Sequence, residues 1–82
     1  MTNNPVILAI DEGTSGTRAA TVSADGHVSC LEYQTLHVQT PRPGVVEQDA
    51  NEILEKTINV CRATIAQAHR AGQQIAALAV AT

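Results

Sequence analysis

The pattern of apolar and polar positions changes its period along the chain and predicts three strands, then a helix, then a strand. Residues 5–10 form a continuous apolar run with β-branched side chains, which is typical of a strand buried on both faces. Residues 18–23 continue in a strand-like pattern, after which Gly26 can take the positive φ of a hairpin turn. Residues 28–38 predict a long third strand, and the prolines and glycine of residues 41–44 predict a stiff, exposed loop that ends it.

A helical periodicity extends from Asp49 to Arg70. Asp49 predicts the N-cap, and Glu52 stands three residues later, which is the spacing of a capping box. Gly72 is expected to terminate the helix, and residues 75–81 predict a further strand of the buried type. Apolar side chains recur in the helix at intervals of three and four and predict one stripe that packs on the core. These side chains are Leu54, Ile58, Cys61, Ile65 and Ala68.

This order of elements predicts an α/β fold. The first three strands are expected to form an antiparallel meander, and the helix to return the chain by a right-handed crossover, so that the last strand lies parallel to the first. We expect residues 1–82 to be a truncated first part of a larger domain, because an apolar strand directly precedes Thr82. That last strand would be an unprotected edge, so self-association into a homo-oligomer is expected.

Composition and charge narrow the class of protein. Apolar residues make up 44% of the chain and charged residues 16%, which excludes a wholly disordered chain. No apolar run approaches the roughly 18 residues of a membrane-spanning helix. A net charge of −3 with scattered basic residues argues against nucleic acid as the main partner.

Location and metal binding follow from the N-terminus, the cysteines and the histidines. The N-terminus carries no basic residue and does not predict a secretory signal, so the cytoplasm is the expected location. Cys30 and Cys61 are interpreted as reduced, small apolar side chains, because they lack the C-x-x-C spacing. His27, His37 and His69 stand on different elements and predict no metal cluster.

The most informative segment is residues 11–18, which reads Asp-Glu-Gly-Thr-Ser-Gly-Thr-Arg. Glycines in a tight turn let successive N–H groups converge on an anion, and the hydroxyls add further donors. Asp11 is placed to hold Mg²⁺ through water, and Arg18 to neutralise phosphate charge. The segment is neither a Walker A loop nor a G-x-G-x-x-G turn. Composition alone favours a simpler interpretation, in which this is a hairpin turn with solvated polar residues.

Three segments resemble the FGGY family of sugar kinases, which has a ribonuclease H-like fold within the actin-like ATPase superfamily. Residues 10–18 are similar to the first phosphate motif of that family. Residues 41–49, Pro-Arg-Pro-Gly-Val-Val-Glu-Gln-Asp, resemble the Pro-x-Pro-Gly-Trp-Val-Glu-x-Asp segment that glycerol kinases carry at the same distance. Residues 75–82 resemble the strand that precedes the substrate-binding Arg-Glu pair of the family, so the resemblance covers essentially the whole chain.

The resemblance implies an ATP-dependent kinase that transfers the γ-phosphoryl group to a primary hydroxyl of a small polyol or sugar, with ATP and Mg²⁺ as cofactors. It implies that Asp11 lies near the metal. It also implies a set of residues that contact the nucleotide phosphates, namely Gly13, Thr14, Ser15, Gly16, Thr17 and Arg18. In the family the catalytic base, the polyol site and the second domain lie beyond the position of Thr82, so the 82-residue chain is expected to be inactive alone.

Departures from the family pattern leave alternatives open. Glu12 stands where glycerol kinases usually have Gln, and Val45 replaces the usual Trp. Gly16 replaces a common hydroxyl residue and offers only its backbone N–H. One alternative is a pentulose kinase of the same family, of the xylulose type. Another is a non-catalytic, actin-like nucleotide-binding module, because actins and heat-shock chaperones share a similar Asp-x-Gly-Thr turn.

Overall fold

A computed structural model describes residues 4–82 of the chain. In chain order the strands are β1 (Asn4–Glu12), β2 (Gly16–Ser23), β3 (Val28–Thr35), β4 (Gln39–Arg42) and β5 (Val45–Glu47), followed by helix α1 (Ala50–Arg70) and strand β6 (Gln73–Ala81). One sheet has the strand order β3-β2-β1-β6, and β4 and β5 form a separate two-stranded sheet. Strands β1, β2 and β3 pair antiparallel, while β6 pairs parallel to β1. The predicted α/β order, the meander and the parallel return are therefore confirmed.

The core lies between α1 and one face of the four-stranded sheet. Alternate residues of β1 point to this face, and the antiparallel register sets Leu8 opposite Thr21 and Ile10 opposite Ala19. At its centre Val60 of α1 is only 2% exposed and packs with Leu8 and Ala19. The chain holds a single aromatic residue, so this core consists of aliphatic side chains and buried threonines. Within residues 4–82, no helix has the length and apolar character needed to cross a membrane.

The face of α1 that packs on the sheet differs from the predicted stripe. Its buried side chains are Val60, Thr64 and Ala68, so only Ala68 of the predicted stripe is fully buried. Cys61 packs at the margin of the core, while three long side chains remain 40–60% exposed, namely Leu54, Ile58 and Ile65. The predicted apolar stripe was wrong because a polar residue, Thr64, occupies the middle of the face that α1 buries. The side chain of Thr64 donates to the carbonyl of Cys30 over 2.9 Å, so its polar group is satisfied there.

Strand β3 ends at Thr35, before the predicted end at residue 38. Leu36 leaves the strand, is buried, and donates its N–H to the carbonyl of Ser15 over 2.9 Å. The segment predicted as a loop forms instead the small hairpin of β4 and β5, in which Gly44 takes a φ of 81°. The prolines are compatible with this hairpin because a two-stranded sheet consists only of edge strands.

Both predicted ends of α1 are confirmed, but the capping box is not. The carboxylate of Asp49 accepts a hydrogen bond from the N–H of Asn51 over 2.9 Å, and Gly72 follows the helix with a φ of 74°. Glu52 does not complete the box, because its carboxylate accepts from the backbone N–H of His37 over 2.7 Å. The other oxygen of Glu52 lies 2.8 Å from Nδ1 of the same histidine.

The cysteines are both free, as predicted. Burial raises the pKa of the Cys61 thiol, and the nearby Glu12 carboxylate raises it further, so Cys61 remains protonated at neutral pH. Cys30 is unusual for its backbone, since its φ of 55° makes it the one non-glycine residue of positive φ between residues 4 and 82. It lies where the pairing of β2 with β3 shifts register, between Ala19 and Thr21.

Candidate functional site: the turn between the first two strands

The turn that joins β1 to β2 is a tight hairpin loop with two residues at its tip. The N–H of Gly13 donates to the carbonyl of Gly16 over 2.9 Å and closes the loop. Thr14 and Ser15 form the tip, and both are exposed. A Cβ added at Gly13 would lie 3.2 Å from the oxygen of Gly16, so the close approach of these two strands favours glycine.

Three residues outside the loop donate hydrogen bonds to its carbonyl oxygens. The oxygen of Ser15 accepts from the N–H of Leu36 over 2.9 Å and from the Tyr33 hydroxyl over 3.3 Å. The oxygen of Thr14 accepts from Nε2 of Gln48 over 2.6 Å. In a trans peptide the C=O and N–H groups point in opposite directions. The N–H groups of Ser15 and Gly16 follow these two carbonyls in the chain, so they are directed away from the residues that donate to the carbonyls.

The contact between Gln48 and Thr14 joins the two sequence motifs in space. Gln48 belongs to residues 41–49 and Thr14 to residues 10–18, which lie far apart in the chain. The segment between β5 and α1 therefore contacts the loop directly. The order of the motifs along the chain did not predict this contact.

A carboxylate, a guanidinium and an aromatic ring lie beside the loop on the face of the sheet opposite α1. The strand register sets Asp11 opposite Arg18, and Arg18 opposite Tyr33. Arg18 Nε lies 3.8 Å from Asp11 Oδ2, and the two side chains are 53% and 57% exposed. The guanidinium carbon of Arg18 lies 5.3 Å from the centroid of the Tyr33 ring. Positive and negative groups therefore stand together at an open, solvated edge of the loop.

Thr17 lies on the other face of the sheet, beneath the loop. Its side chain is fully buried, and its hydroxyl donates to Oε1 of Glu12 over 2.7 Å. Thr57 of α1 contacts the same oxygen over 2.7 Å. Among the residues expected to contact phosphate, Thr17 is thus the one whose side chain is engaged inside the fold. The alternation of side chains along β2 explains this, because Arg18 must then face the open side.

Tyr33 was not singled out by sequence reasoning, although it contacts three residues that were. Its ring lies so close to Gly16 that an added Cβ at that position would overlap the phenol. It also stacks beside Arg18 and donates to Ser15. The antiparallel register of β2 and β3 was the signal that could have found it, since it sets Tyr33 directly opposite Arg18.

The residues present fit a magnesium ion that keeps most of its water. Asp11 ends β1 with a half-exposed carboxylate beside the loop, and Mg²⁺ is commonly held by one or two carboxylates together with water and phosphate oxygens. Within residues 4–82 there is no group of three or more His, Cys, Asp or Glu side chains arranged to hold a metal. Any metal at this loop would therefore depend on the ligand as well as on Asp11.

The sheet order, the crossover helix and the loop after β1 define the class of this domain as the actin-like ATPase fold. Comparison with known families agrees, because residues 6–82 match the FGGY family of carbohydrate kinases, N-terminal domain. The chain therefore belongs to the FGGY family of carbohydrate kinases.

Individual relatives are glycerol kinases. Those of Nitrosomonas eutropha and Xanthobacter autotrophicus are 42% identical over 65 residues and 38% identical over 74 residues, which is 79% and 90% of this chain. That of Acaryochloris marina is 40% identical over 78 residues, or 95% of this chain. The chain spans only 13%, 15% and 16% of the lengths of these three relatives.

Proposed function

We propose that this chain is the N-terminal phosphate-binding segment, residues 1–82, of an ATP-dependent kinase resembling glycerol kinase. The kinase would transfer the γ-phosphoryl group of ATP to a primary hydroxyl of a small polyol, in the cytoplasm. The observation that carries the proposal is the loop itself, whose carbonyls at Thr14 and Ser15 are anchored while Asp11 and Arg18 stand at its open edge. The similarity to glycerol kinases supports a polyol rather than a pentulose as acceptor.

Each residue of the loop has a distinct part in this proposal. The N–H groups of Ser15 and Gly16 and the exposed hydroxyls of Thr14 and Ser15 bind phosphate oxygens, while the N–H of Gly13 closes the loop on the carbonyl of Gly16. Arg18 neutralises phosphate charge. Asp11 holds Mg²⁺, which when bound would neutralise charge on the β- and γ-phosphate oxygens. Thr17 supports the loop from beneath through its hydrogen bond to Glu12.

The ion pair between Asp11 and Arg18 is suited to open when a ligand arrives. At 3.8 Å, with both side chains more than half exposed, it is a weak contact that water screens. Mg²⁺ would bind the Asp11 carboxylate, and a phosphate group would bind the Arg18 guanidinium. Each charged side chain would therefore exchange a weak partner for a stronger one. In the proposal, each of the two charges is thus matched to one half of a metal–phosphate ligand.

The 82-residue chain is proposed to bind phosphate without turnover. Phosphoryl transfer depends on positioning and charge stabilisation by several parts acting together, including a base and an acceptor pocket. In the proposal those parts come from sequence that follows Thr82, in keeping with the small share of the relatives that this chain spans.

A segment exchange tests the proposal. Residues 4–82 replace the matching segment of the Xanthobacter autotrophicus glycerol kinase, and glycerol-dependent ADP formation is measured with a coupled assay. We expect the chimaera to be active and its Arg18→Ala variant to be strongly impaired, while the isolated chain forms no ADP with glycerol or xylulose. Equal activity of the Arg18→Ala variant, or substrate-dependent ADP formation by the purified isolated chain, would overturn the proposal.

A further inference from the structure

We propose that Tyr33 is a positioning residue for Arg18 and for the phosphate-binding loop, and that glycine at position 16 leaves open the space that the Tyr33 ring occupies. The inference rests on the proposed function and adds to it a residue outside the loop. It is drawn from three contacts of one side chain, with Gly16, Ser15 and Arg18.

The first step is the contact between the ring and the loop. An added Cβ at Gly16 would overlap the hydroxyl and two ring carbons of Tyr33, so any side chain at position 16 requires the ring to leave. The hydroxyl of Tyr33 donates to the carbonyl of Ser15 over 3.3 Å, beside the 2.9 Å bond from Leu36. Tyr33 therefore both covers the loop and helps to hold one of its carbonyls.

The second step is the stacking of Arg18. The guanidinium carbon lies 5.3 Å from the ring centroid, within the range in which the face of an aromatic ring attracts a cation. On the other side Nε lies 3.8 Å from Asp11, too far for a hydrogen bond. The ring thus holds Arg18 beside Asp11 without a close ion pair. Without the ring, the long side chain is free to move into solvent or to close on Asp11, and both movements compete with phosphate binding.

The third step is a prediction about how the variants combine. Tyr33→Phe keeps the ring and loses only a long hydrogen bond, so affinity for a phosphate ligand should change by less than about twofold. Tyr33→Leu removes the stacking and should weaken binding by about threefold to fivefold. Arg18→Lys keeps the charge but loses the planar guanidinium that stacks on the ring. The double variant that combines Arg18→Lys with Tyr33→Leu should lose no more affinity for the phosphate ligand than the weaker-binding of the two single variants. Both substitutions remove the same stacking interaction, so their effects should not add.

The probe is Mg²⁺-pyrophosphate, which does not absorb where tyrosine does. Tyr33 is the only aromatic residue of the chain, so the tyrosine fluorescence and near-ultraviolet circular dichroism of the 82-residue chain report on this place alone. Affinities of all variants are measured by calorimetry, and NMR records the ring-current shift of the Arg18 side-chain protons. Leu31→Ala is the matched control, because Leu31 is a partly exposed apolar residue of the same strand, at 57% against 46% for Tyr33.

The expected result is a ring-current shift that persists in Tyr33→Phe and is lost in Tyr33→Leu, together with the loss of affinity stated above. Gly16→Ala should displace the ring, abolish the shift and weaken binding at least as much as Tyr33→Leu, whereas Leu31→Ala leaves affinity unchanged. Wild-type affinity in Tyr33→Leu, or an unaltered shift in Gly16→Ala, overturns the inference and leaves the proposed function standing. Failure of the wild-type chain to bind pyrophosphate at all overturns both.

Discussion

The hydroxyl of Thr57 in helix α1 lies 2.7 Å from Oε1 of Glu12, the last residue of strand β1. Thr17 of β2 donates to the same oxygen over 2.7 Å, so one carboxylate oxygen joins three elements directly beneath the loop between β1 and β2. The second oxygen, Oε2, is buried and has no hydrogen-bond partner within the part of the chain that the structure describes. The helix therefore supports the loop through a side chain at the position where glycerol kinases usually carry Gln.

Two substitutions of Glu12 should distinguish the contribution of its hydrogen-bonded oxygen, Oε1, from that of its unpartnered oxygen, Oε2. Glu12→Ala leaves the buried Thr17 hydroxyl without its acceptor and should lower the free energy of unfolding by about 1–3 kcal/mol. The Thr57 hydroxyl still has the carbonyl of Ile53 at 2.7 Å. Glu12→Gln retains an acceptor at Oε1 and places a neutral group where Oε2 lies, so the change should be below about 1 kcal/mol. Urea denaturation of both variants checks this. Equal losses in the two variants would show that the charge of Glu12, rather than its acceptor, matters.

Asp11 should contribute to turnover rather than to polyol binding. Its carboxylate is half exposed beside the loop, so Asp11→Ala in the active chimaera should lower kcat far more than it raises KM for glycerol. The melting temperature should remain within the few degrees expected of a surface substitution. A variant with near-normal kcat and a greatly raised KM contradicts the assignment. A parallel loss of thermal stability and nucleotide affinity would instead indicate that Asp11 stabilises the turn.

Glu52 and His37 give the chain a pH-dependent contact. The backbone N–H of His37, and then its ring, hold the pKa of Glu52 below its ordinary value of 4.5. The unfolded chain therefore takes up this proton at higher pH than the folded one, and the stabilising contribution is present above pH 4.5 and is lost as pH falls through the lowered pKa.

The measurement is the free energy of unfolding across an acid pH series. Glu52→Gln should flatten the decline below pH 4.5, whereas Glu55→Gln, at an exposed position of the same helix, should not. Part of the slope should persist in both variants, because the pKa of Asp25 is also lowered, chiefly by its hydrogen bond from Ser23. Identical slopes in the wild type and in Glu52→Gln would contradict the role given to His37.

The buried hydroxyl of Thr64 should contribute to stability. Its side chain is fully buried and donates to the carbonyl of Cys30, at the bulge in β3. Thr64→Val preserves the shape but leaves that carbonyl without its donor, at a cost of about 1–3 kcal/mol. The matched control is Thr40→Val at an exposed position, which should change the unfolding free energy by less than about 0.5 kcal/mol. Equal effects of the two substitutions in urea denaturation would refute this account.

Strand β6 should make the 82-residue chain self-associate. It is an edge of the sheet, and residues 73–81 contain neither a charged residue nor a proline that would guard it. On the face toward α1, Leu78 and Val80 remain 62% and 58% exposed. Sedimentation across a concentration series should show association, and Leu78→Lys should weaken it more than Leu31→Lys on the opposite edge. A sharp monomer at high concentration with cooperative unfolding would contradict the prediction.

Local signals of the sequence predicted the elements and several of their ends. Asp49 caps the helix and Gly72 ends it, while Gly26 takes the positive φ of a hairpin turn, because each acts through backbone geometry within a few residues. The apolar runs predicted the central strand and its parallel partner as strands, but the burial expected of them was wrong. Ile7 on the second face of β1 is 42% exposed, and Leu78 and Val80 of β6 are 62% and 58% exposed, because burial depends on which neighbours cover a strand. The loop after β1 was also located from its residue types alone.

Only the tertiary structure decided which faces and partners these elements use. The apolar stripe at Leu54, Ile58 and Ile65 was predicted as core, yet Thr64 lies inside because a distant bulge offers it a carbonyl. Side chains alternate along β2, so Thr17 faces α1 and Arg18 faces solvent, and this could be assigned only once it was known which face α1 covers. The Tyr33 ring over Gly16 depends on strand register. Such contacts join residues far apart in the chain, and their energy depends on relative positions that periodicity and residue type do not contain.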